Sequence, residues 1–283
     1  MRRRVGLVVD DLRSRVGSEL IDELHGALAR AGHQTVLLPD PDVGPGADRP
    51  DFGDDLDGLI FLSARRWSRV PAAVAERRPV VLLDEDVDGA ELDRVLADDR
   101  AGGRVAAAHL VALGHRRIGL LSGPSDLSSA REREHGFREG LRAAGVPWDD
   151  ALRREGAYAH RFGSQGCTEL LALDRPPTAL FCAHDVIAFG ALDAARRRGV
   201  RVPHELSIVG CDDSVPAGWV ALDLCTVGRP AAEMARTAVR MVLRRFDPAT
   251  PAGPVHRVFP VRLVRRGTCG PPADGLGLRA VRP

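Results

Sequence analysis

Runs of mostly apolar residues alternate with segments of helical periodicity along most of the chain. Between the runs, apolar residues recur at every third or fourth position, which is the spacing of an amphipathic helix. Strands that are apolar throughout are typical of parallel sheets covered by helices on both faces. The pattern therefore predicts an α/β fold. The predicted strands lie at residues 5–9, 35–38, 59–62, 80–83, 95–96, 118–121, 178–182 and 206–211.

Glycine and proline mark the ends of several predicted helices. Gly32, Gly114 and Gly199 each follow a helical pattern and suit the left-handed residue that commonly ends a helix. Pro230 suits the first turn of another helix, because the nitrogen there needs no hydrogen-bond partner. After that helix, alternating apolar residues at 258–264 predict one final strand.

The predicted elements form two α/β series, roughly residues 1–97 and 98–228, followed by one more helix and strand. Two similar series predict two doubly wound parallel-sheet subdomains. In such sheets ligands bind beyond the carboxyl ends of the strands, so we expect a ligand cleft between the subdomains. Residues 269–283 are rich in glycine, proline and arginine without periodicity, and we expect this tail to be disordered.

Composition and charge exclude several classes of protein. All 40 basic residues are arginine, and a chain without lysine has neither a P-loop lysine nor a Schiff-base lysine. The net charge of +1 offers no strongly basic face for nucleic acid. No apolar stretch is long enough for a signal peptide or a membrane span, and the five cysteines lack CxxC spacing. We therefore expect a cytoplasmic protein with reduced cysteines and no membrane contact.

Polar residues, most of them acidic, follow the predicted strands. Because ligands of open α/β sheets bind at the carboxyl ends of strands, these residues are the first candidates for a site. Aspartate directly after a strand is also a common helix cap or turn residue, so each position alone has a structural alternative. The set is Asp10, Asp11, Ser63, Asp84, Glu85, Asp98, Asp99, Ser122, His184, Asp185, Asp212 and Asp213.

The enzyme motifs that use such residues are missing from the sequence. It contains no GxSxG, no GxGxxG after a strand and no HExxH, and its nine histidines do not fall at metal-ligand spacing. We therefore expect no catalytic residue, no metal and no cofactor. Carboxylates and guanidinium groups suit the hydroxyls of a sugar, on whose ring Tyr158, Trp67 or Trp219 could stack. A binding protein is the favoured interpretation.

Four motifs together resemble the sensor domain of the lactose-repressor/galactose-repressor (LacI/GalR) family of transcription regulators. Residues 114–119 read GHRRIG between a predicted helix and a predicted strand. Residues 131–137 read REREHGF and resemble the R-x-x-G-F/Y element that begins the next helix. Residues 183–192 and 202–213, AHDVIAFGAL and VPHELSIVGCDD, resemble two further family signatures. The similarity covers nearly all of residues 3–268.

The resemblance implies a periplasmic-binding-protein-like type I fold whose two subdomains are joined by three crossings, here near residues 98, 228 and 256. It assigns residues 1–97 and 229–255 to the N-terminal subdomain and 98–228 and 256–268 to the C-terminal one. It also implies a small effector in the cleft, most often a sugar, sugar phosphate or nucleobase. The ligand-binding residues that it implies are Asp11, Ser63, Ser129, Arg133, Tyr158, His184, Asp185 and Asp212.

The sequence departs from the family pattern near the expected effector. His184 stands where asparagine is usual, and Arg229 where glutamine is common. Residues 13–16 read RSRV in place of the usual SNPF. The additional arginines and the histidine in these positions favour an anionic effector, such as a phosphorylated sugar.

The resemblance further implies a homodimer that binds operator DNA and responds to the effector by a change in subdomain equilibrium. In the family an N-terminal helix-turn-helix reads the operator. This chain begins at the first sensor strand, so we expect that segment to be absent from it. A solute-binding protein of the same fold that serves sugar uptake is the alternative. A hydrolase or transferase using the acidic residues is a more distant one.

Overall fold

Twelve strands and seven helices are present in residues 2–10, 18–42, 52–251 and 253–273, the part of the chain that the computed structural model describes. The strands are β1 (Arg4–Val9), β2 (Gln34–Pro39), β3 (Gly58–Phe61), β4 (Val80–Leu83), β5 (Asp93–Ala97), β6 (Ile118–Ser122), β7 (Arg153–Glu155), β8 (Ala179–Cys182), β9 (Ser207–Asp212), β10 (Cys225–Gly228), β11 (His256–Phe259) and β12 (Arg262–Val264). The helices are α1 (Ser18–Arg30), α2 (Val70–Ala75), α3 (Asp99–Ala112), α4 (Ser128–Ala143), α5 (His160–Leu171), α6 (Asp185–Arg197) and α7 (Ala231–Arg244).

The chain divides into two compact units, each with its own six-stranded sheet. Unit 1 comprises residues 1–97, 126–129 and 230–260, and unit 2 comprises 98–125, 130–229 and 261–283. The strand order is β11-β5-β4-β3-β1-β2 in unit 1 and β12-β10-β9-β8-β6-β7 in unit 2. Every pair in the first sheet is parallel, whereas β12 is antiparallel to β10 in the second. Two parallel-sheet subdomains with alternating helices are the fold that the sequence predicts.

The apolar strands are buried because helices cover the sheets. All four residues of β3, β4 and β8 are buried, as predicted from their unbroken apolar sequences. In unit 2, the rings of Phe137 on α4 and Phe181 on β8 pack with their centroids 5.1 Å apart. Burial of this apolar surface stabilises each unit at roughly 25 cal/mol per Å².

The turn between α3 and β6 is fixed by a buried histidine. Gly114 adopts a φ of +102° after the helix, a conformation that favours glycine. His115, which is 1% exposed, lies with Nδ1 2.9 Å from Thr178 Oγ1 and Nε2 2.9 Å from the carbonyl oxygen of Gly270. Its Nε2 also lies 3.1 Å from Ser207 Oγ. The histidine of the GHRRI motif therefore joins three separate segments of unit 2.

In unit 2, α3 packs closely on α4 and α5 packs closely on α6, in both cases at glycine residues. A Cβ atom on Gly103 of α3 would lie 2.0 Å from the carbonyl oxygen of Arg133 on α4. A Cβ on Gly136 of α4 would lie 1.9 Å from the carbonyl oxygen of Arg100 on α3. In the same way, a Cβ on Gly163 of α5 would lie equally close to the backbone of α6, and a Cβ on Gly190 of α6 equally close to the backbone of α5. Only glycine allows these backbones to come so near.

The prediction of one final strand at 258–264 is wrong. The segment forms two strands, β11 in the first sheet and β12 in the second, with Pro260 between them. Proline lacks the amide hydrogen that a continuous ladder needs, so the strand ends there. The third crossing of the chain consequently lies at residues 260–261, later than the predicted 256. Residues 126–129 also group with unit 1, although 98–228 was assigned to the other subdomain.

The predicted disordered tail begins too early. Gly270 donates its amide hydrogen to Ser207 Oγ at 3.0 Å, and Cys269 Sγ donates to the carbonyl oxygen of Ile208 at 3.3 Å. These bonds hold the start of the segment against β9, where sequence periodicity gives no signal. Residues 274–283 lie outside the described residues.

Among the residues that the structure describes, no helix combines the length and the apolar character that a membrane crossing requires.

Candidate functional site

Asp212 is the central residue of a buried polar cluster at the carboxyl edge of the second sheet. It is the last residue of β9 and adopts a φ of +125°, which is rare for any residue except glycine. Asp213 follows with a φ of +59°. Backbone strain of this kind persists only where surrounding contacts fix it, and it is common at ligand sites.

Three basic side chains surround the Asp212 carboxylate, which is 7% exposed. Arg133 Nη2 and Arg229 Nε each lie 3.2 Å from Oδ1, and His184 Nε2 lies 2.9 Å from Oδ2. Burial alone would raise the pKa of Asp212, but the contacts with His184, Arg133 and Arg229 outweigh it and hold that pKa well below its usual range. Oδ2 is buried, and His184 Nε2 is the donor beside it. The cluster therefore holds an ionised carboxylate in one fixed orientation.

Arg133 is almost completely buried, at 1% exposure, and reaches the cluster from α4. Its Nε donates to Asp99 Oδ1 and its Nη1 to the carbonyl oxygen of Ala183, both at 2.6 Å. Its Nη2 donates to Asp212. Each of the three guanidinium nitrogens therefore has an acceptor, two of them carboxylates, which offsets the cost of burying the charge.

The His184 imidazole is held with its Nε2 facing Asp212. The residue caps α6, and its Nδ1 accepts a hydrogen bond from the amide of Val186 at 3.1 Å. Since Nδ1 is an acceptor, the imidazole carries its hydrogen on Nε2, the atom nearest Asp212. The Tyr158 ring packs on the imidazole with a centroid distance of 4.9 Å. Gly123 makes room for that ring, because a Cβ there would lie 2.2 Å from it.

Asp185 is fully buried beside these residues. Its Oδ1 accepts a hydrogen bond from Thr226 Oγ1 at 2.6 Å, and its Oδ2 accepts from both the amide and the hydroxyl of Ser214 at 2.8 Å. Burial, and secondly the charge of Asp212, raises the pKa of Asp185 to about 6. Asp185 anchors the loop after β9 and thereby orients Asp212.

Five of the eight predicted ligand-binding residues, Arg133, Tyr158, His184, Asp185 and Asp212, come together in unit 2. Two others lie in unit 1. Ser63 Oγ donates to Asp40 Oδ2 at 3.1 Å, and the amide of Ser129 donates to Glu85 Oε2 at 3.0 Å. Asp11 lies outside the described residues. The contacts of these eight residues with an effector remain predictions.

Burial raises the pKa of Glu85 to about 7, with the neighbouring charge of Asp84 as a second cause. The carboxyl group accepts a hydrogen bond from Ser128 Oγ at 2.8 Å in addition to the two from Ser129. Sequence position placed Glu85 in the acidic set but gave no sign of this pairing with a serine some 40 residues away.

The list of predicted binding residues missed Arg229 and Asp99. Arg229 was noted only as a departure from the family pattern, and Asp99 only as one acidic residue after a strand. In the structure the two arginines and two aspartates of the cluster balance one another in charge, a pairing that the sequence does not show. The partners of Asp185, Ser214 and Thr226, gave no signal in the sequence.

Comparison with known proteins decides the family of this chain. Residues 107–269 match the model of the periplasmic binding protein-like domain. The chain is 33% identical to the HTH-type transcriptional regulator DegA of Bacillus subtilis over 81% of its own length and 70% of that protein. It is 30% identical to the HTH-type transcriptional repressor CytR of Escherichia coli, over 94% and 79%. A LacI transcriptional regulator from a Rhodococcus species superposes with a TM-score of 0.84 at 29% identity, over 96% of this chain and all of that one.

The chain belongs to the LacI family of transcriptional regulators. The resemblance drawn from the sequence motifs is thereby confirmed. Another LacI-family relative is the transcriptional regulator CelR, whose cellobiose complex superposes with a TM-score of 0.86 at 30% identity, over 94% of this chain and 85% of that one. The GHRRI histidine and the buried Arg133–Asp212 pair are thus elements of a LacI-family subdomain.

Proposed function

We propose that this LacI-family chain is the effector-binding sensor of a transcription regulator, and that the Asp212 cluster binds the effector. The supporting observation is the Asp212 carboxylate, which Arg133, Arg229 and His184 hold ionised and in one orientation at the carboxyl end of β9. A fixed, ionised acceptor of this kind selects a ligand hydroxyl or amine, because its geometry is set before the ligand arrives.

The effector class that fits the cluster is a sugar or sugar derivative. The Tyr158 ring offers a face for a sugar or base ring, and Asp212 offers an acceptor beside it. The related structures include CelR with cellobiose and a LacI-family regulator from Enterococcus faecium with bound ribose. The anionic effector suggested by Arg229 and His184 has less support, because both side chains contact the Asp212 carboxylate. Arg13 and Arg15 lie outside the described residues.

The proposal assigns this chain a regulatory role without catalysis, since the relatives it matches are named regulators and repressors. Operator DNA and a second copy of the chain are the partners of such a regulator, and the cytoplasm is where it acts. Effector binding changes operator affinity by favouring one arrangement of the protein over another.

A thermal-shift panel tests the proposal. The compounds are cellobiose, ribose, a ribose phosphate, a nucleoside and a purine. A ligand at one hundred times its dissociation constant adds about 2.7 kcal/mol of stability, which is a clear shift. We expect one neutral sugar or nucleoside to stabilise the wild type and to lose its effect in Tyr158→Ala and Asp212→Asn.

Asp213→Asn is the matched control, because Asp213 is the next residue but pairs with Arg266 at 2.6 Å. This variant should keep the ligand response. A response that survives Asp212→Asn and Tyr158→Ala would place the effector elsewhere. A response to the ribose phosphate alone would show that the effector is anionic and not a neutral sugar. Circular dichroism before each titration identifies any variant that fails to fold.

A further inference from the structure

A second cluster in unit 2 consists of His109, Cys225 and Cys269. Their ligand atoms, one imidazole nitrogen and two sulfurs, all lie within 4.8 Å of one another. His109 is on α3, Cys225 begins β10, and Cys269 follows β12. The three residues thus come from separate segments, which is why histidine and cysteine spacing in the sequence shows no metal motif.

We propose that His109, Cys225 and Cys269 form a binding site for a zinc-class metal ion. Thiolate and imidazole are the ligands that Zn²⁺ prefers, and three protein ligands leave one tetrahedral position for water. The site is independent of the proposed effector function.

The observed geometry fits tetrahedral coordination. With Zn–N near 2.0 Å and Zn–S near 2.3 Å, tetrahedral angles place the nitrogen and the sulfur about 3.5 Å apart. His109 Nε2 lies 3.6 Å from Cys225 Sγ. This pair therefore already has the spacing that an ion requires, and Cys269 Sγ, within 4.8 Å of both atoms, completes the set by moving closer.

The surroundings hold the two cysteines in place. The amide of Cys225 donates to Thr268 Oγ1 at 2.8 Å, and that hydroxyl donates to the carbonyl oxygen of Ile208 at 2.7 Å. Cys269 Sγ donates to the same carbonyl. Cys225 is buried, while His109 and Cys269 are half-buried, which leaves a path for an ion from solvent. An ion would join α3, β10 and the segment after β12, and its binding would release the thiol protons of the ligating cysteines.

Cobalt titration of the full chain, reduced and stripped of metal with a chelator, tests this site. Co²⁺ reports tetrahedral thiolate coordination by a sulfur-to-cobalt charge-transfer band and strong visible bands. We expect one equivalent to bind, Zn²⁺ to displace it, and Zn²⁺ to raise the melting temperature. The variants His109→Gln and Cys269→Ser, both at half-buried positions, should lose the spectrum and the shift.

Cys167→Ser is the control, because Cys167 is buried in the same unit but packs among apolar side chains away from the cluster. It should keep full binding. The proposal is overturned by a reduced wild type without the bands, or by bands that survive His109→Gln and Cys269→Ser. It is equally overturned if the reduced chain binds no cobalt and instead forms a Cys225–Cys269 disulfide on exposure to air.

Discussion

His184 Nε2 lies 2.9 Å from Oδ2 of Asp212, and the Tyr158 ring packs on the same imidazole with a centroid distance of 4.9 Å. A ring, an imidazole and an ionised carboxylate are thus held in one fixed order. Because the His184 side chain also caps α6, it cannot turn away without loss of the bond from the Val186 amide to Nδ1. The order of these groups is therefore part of the fold of unit 2.

Asp212→Asn should destabilise the protein strongly. Loss of the carboxylate charge leaves the buried side chains of Arg133 and Arg229 without their shared counter-ion. Breaking a buried pair in this way costs roughly 3–5 kcal/mol. Urea denaturation measures the change, and Asp213→Asn, whose pair with Arg266 is more accessible, should cost about 1 kcal/mol or less. Equal losses in the two variants would contradict this account of the Asp212 cluster.

Glu85→Gln should remove part of the pH dependence of stability. The pKa of Glu85 is about 7 in the folded chain against an ordinary value of 4.5, so its stabilising contribution is fully present below pH 4.5 and is lost as the pH rises through 7. Within that window the slope reaches roughly 1.4 kcal/mol per pH unit. Unfolding free energies at pH 5 and pH 7.5 should therefore differ more in the wild type than in Glu85→Gln. Identical differences would show that Glu85 ionises normally.

Gly103→Ala should be costly although alanine is the better helix former. Its Cβ would lie 2.0 Å from the carbonyl oxygen of Arg133, so α3 and α4 would have to separate. We expect a loss of at least about 2 kcal/mol. Gly26→Ala in α1 is the control, because its Cβ meets only the end of the flexible Arg30 side chain at 3.2 Å, and it should stabilise by up to about 1 kcal/mol. A neutral Gly103→Ala, measured by thermal unfolding, would mean that the two helices tolerate a wider spacing.

Removal of His115, the histidine of the GHRRI motif, should weaken the attachment of the segment around Gly270. His115→Ala removes one hydrogen-bond partner from the half-buried Thr178 hydroxyl and one from the Gly270 carbonyl, at a cost of about 1–3 kcal/mol for the two bonds. Burial lowers the pKa of His115 below 6.5, so its contribution is present above pH 6.5 and is lost as the pH falls through the lower, folded value. Hydrogen exchange at the amide of Gly270 should accelerate in the variant. An unchanged exchange rate at Gly270 would show that His115 does not hold this segment in place.

The alternation of apolar strands and amphipathic helices was sufficient to predict the two sheets. It failed at residues 256–264, because Pro260 interrupts a pattern that otherwise reads as one strand. It also missed β7, whose three residues, Arg153–Glu155, are polar on a sheet edge and carry no periodic signal. Edge strands are weakly specified by hydrophobicity, since only one side of them is paired.

The candidate site was predictable to the extent that strand ends and family motifs point to it. Asp185, Asp212 and His184 follow apolar strands, and the fold brings such positions to one sheet edge. The ion-pair partners Asp99 and Arg229 could not be assigned in the same way. Pairing depends on side-chain reach across different elements, and the sequence shows many arginines that are equivalent until distances are known.

The separation of β11 and β12 by Pro260 has a consequence for biosynthesis. Until residues 256–264 leave the ribosome, β5 in one sheet and β10 in the other lack the partner that completes their outer side. An unpaired strand edge is a template for association with other chains. In the nascent protein β5 and β10 therefore remain outer strands until residues 256–264 have been made, and this single short segment then extends both sheets, leaving β11 and β12 as the new edges.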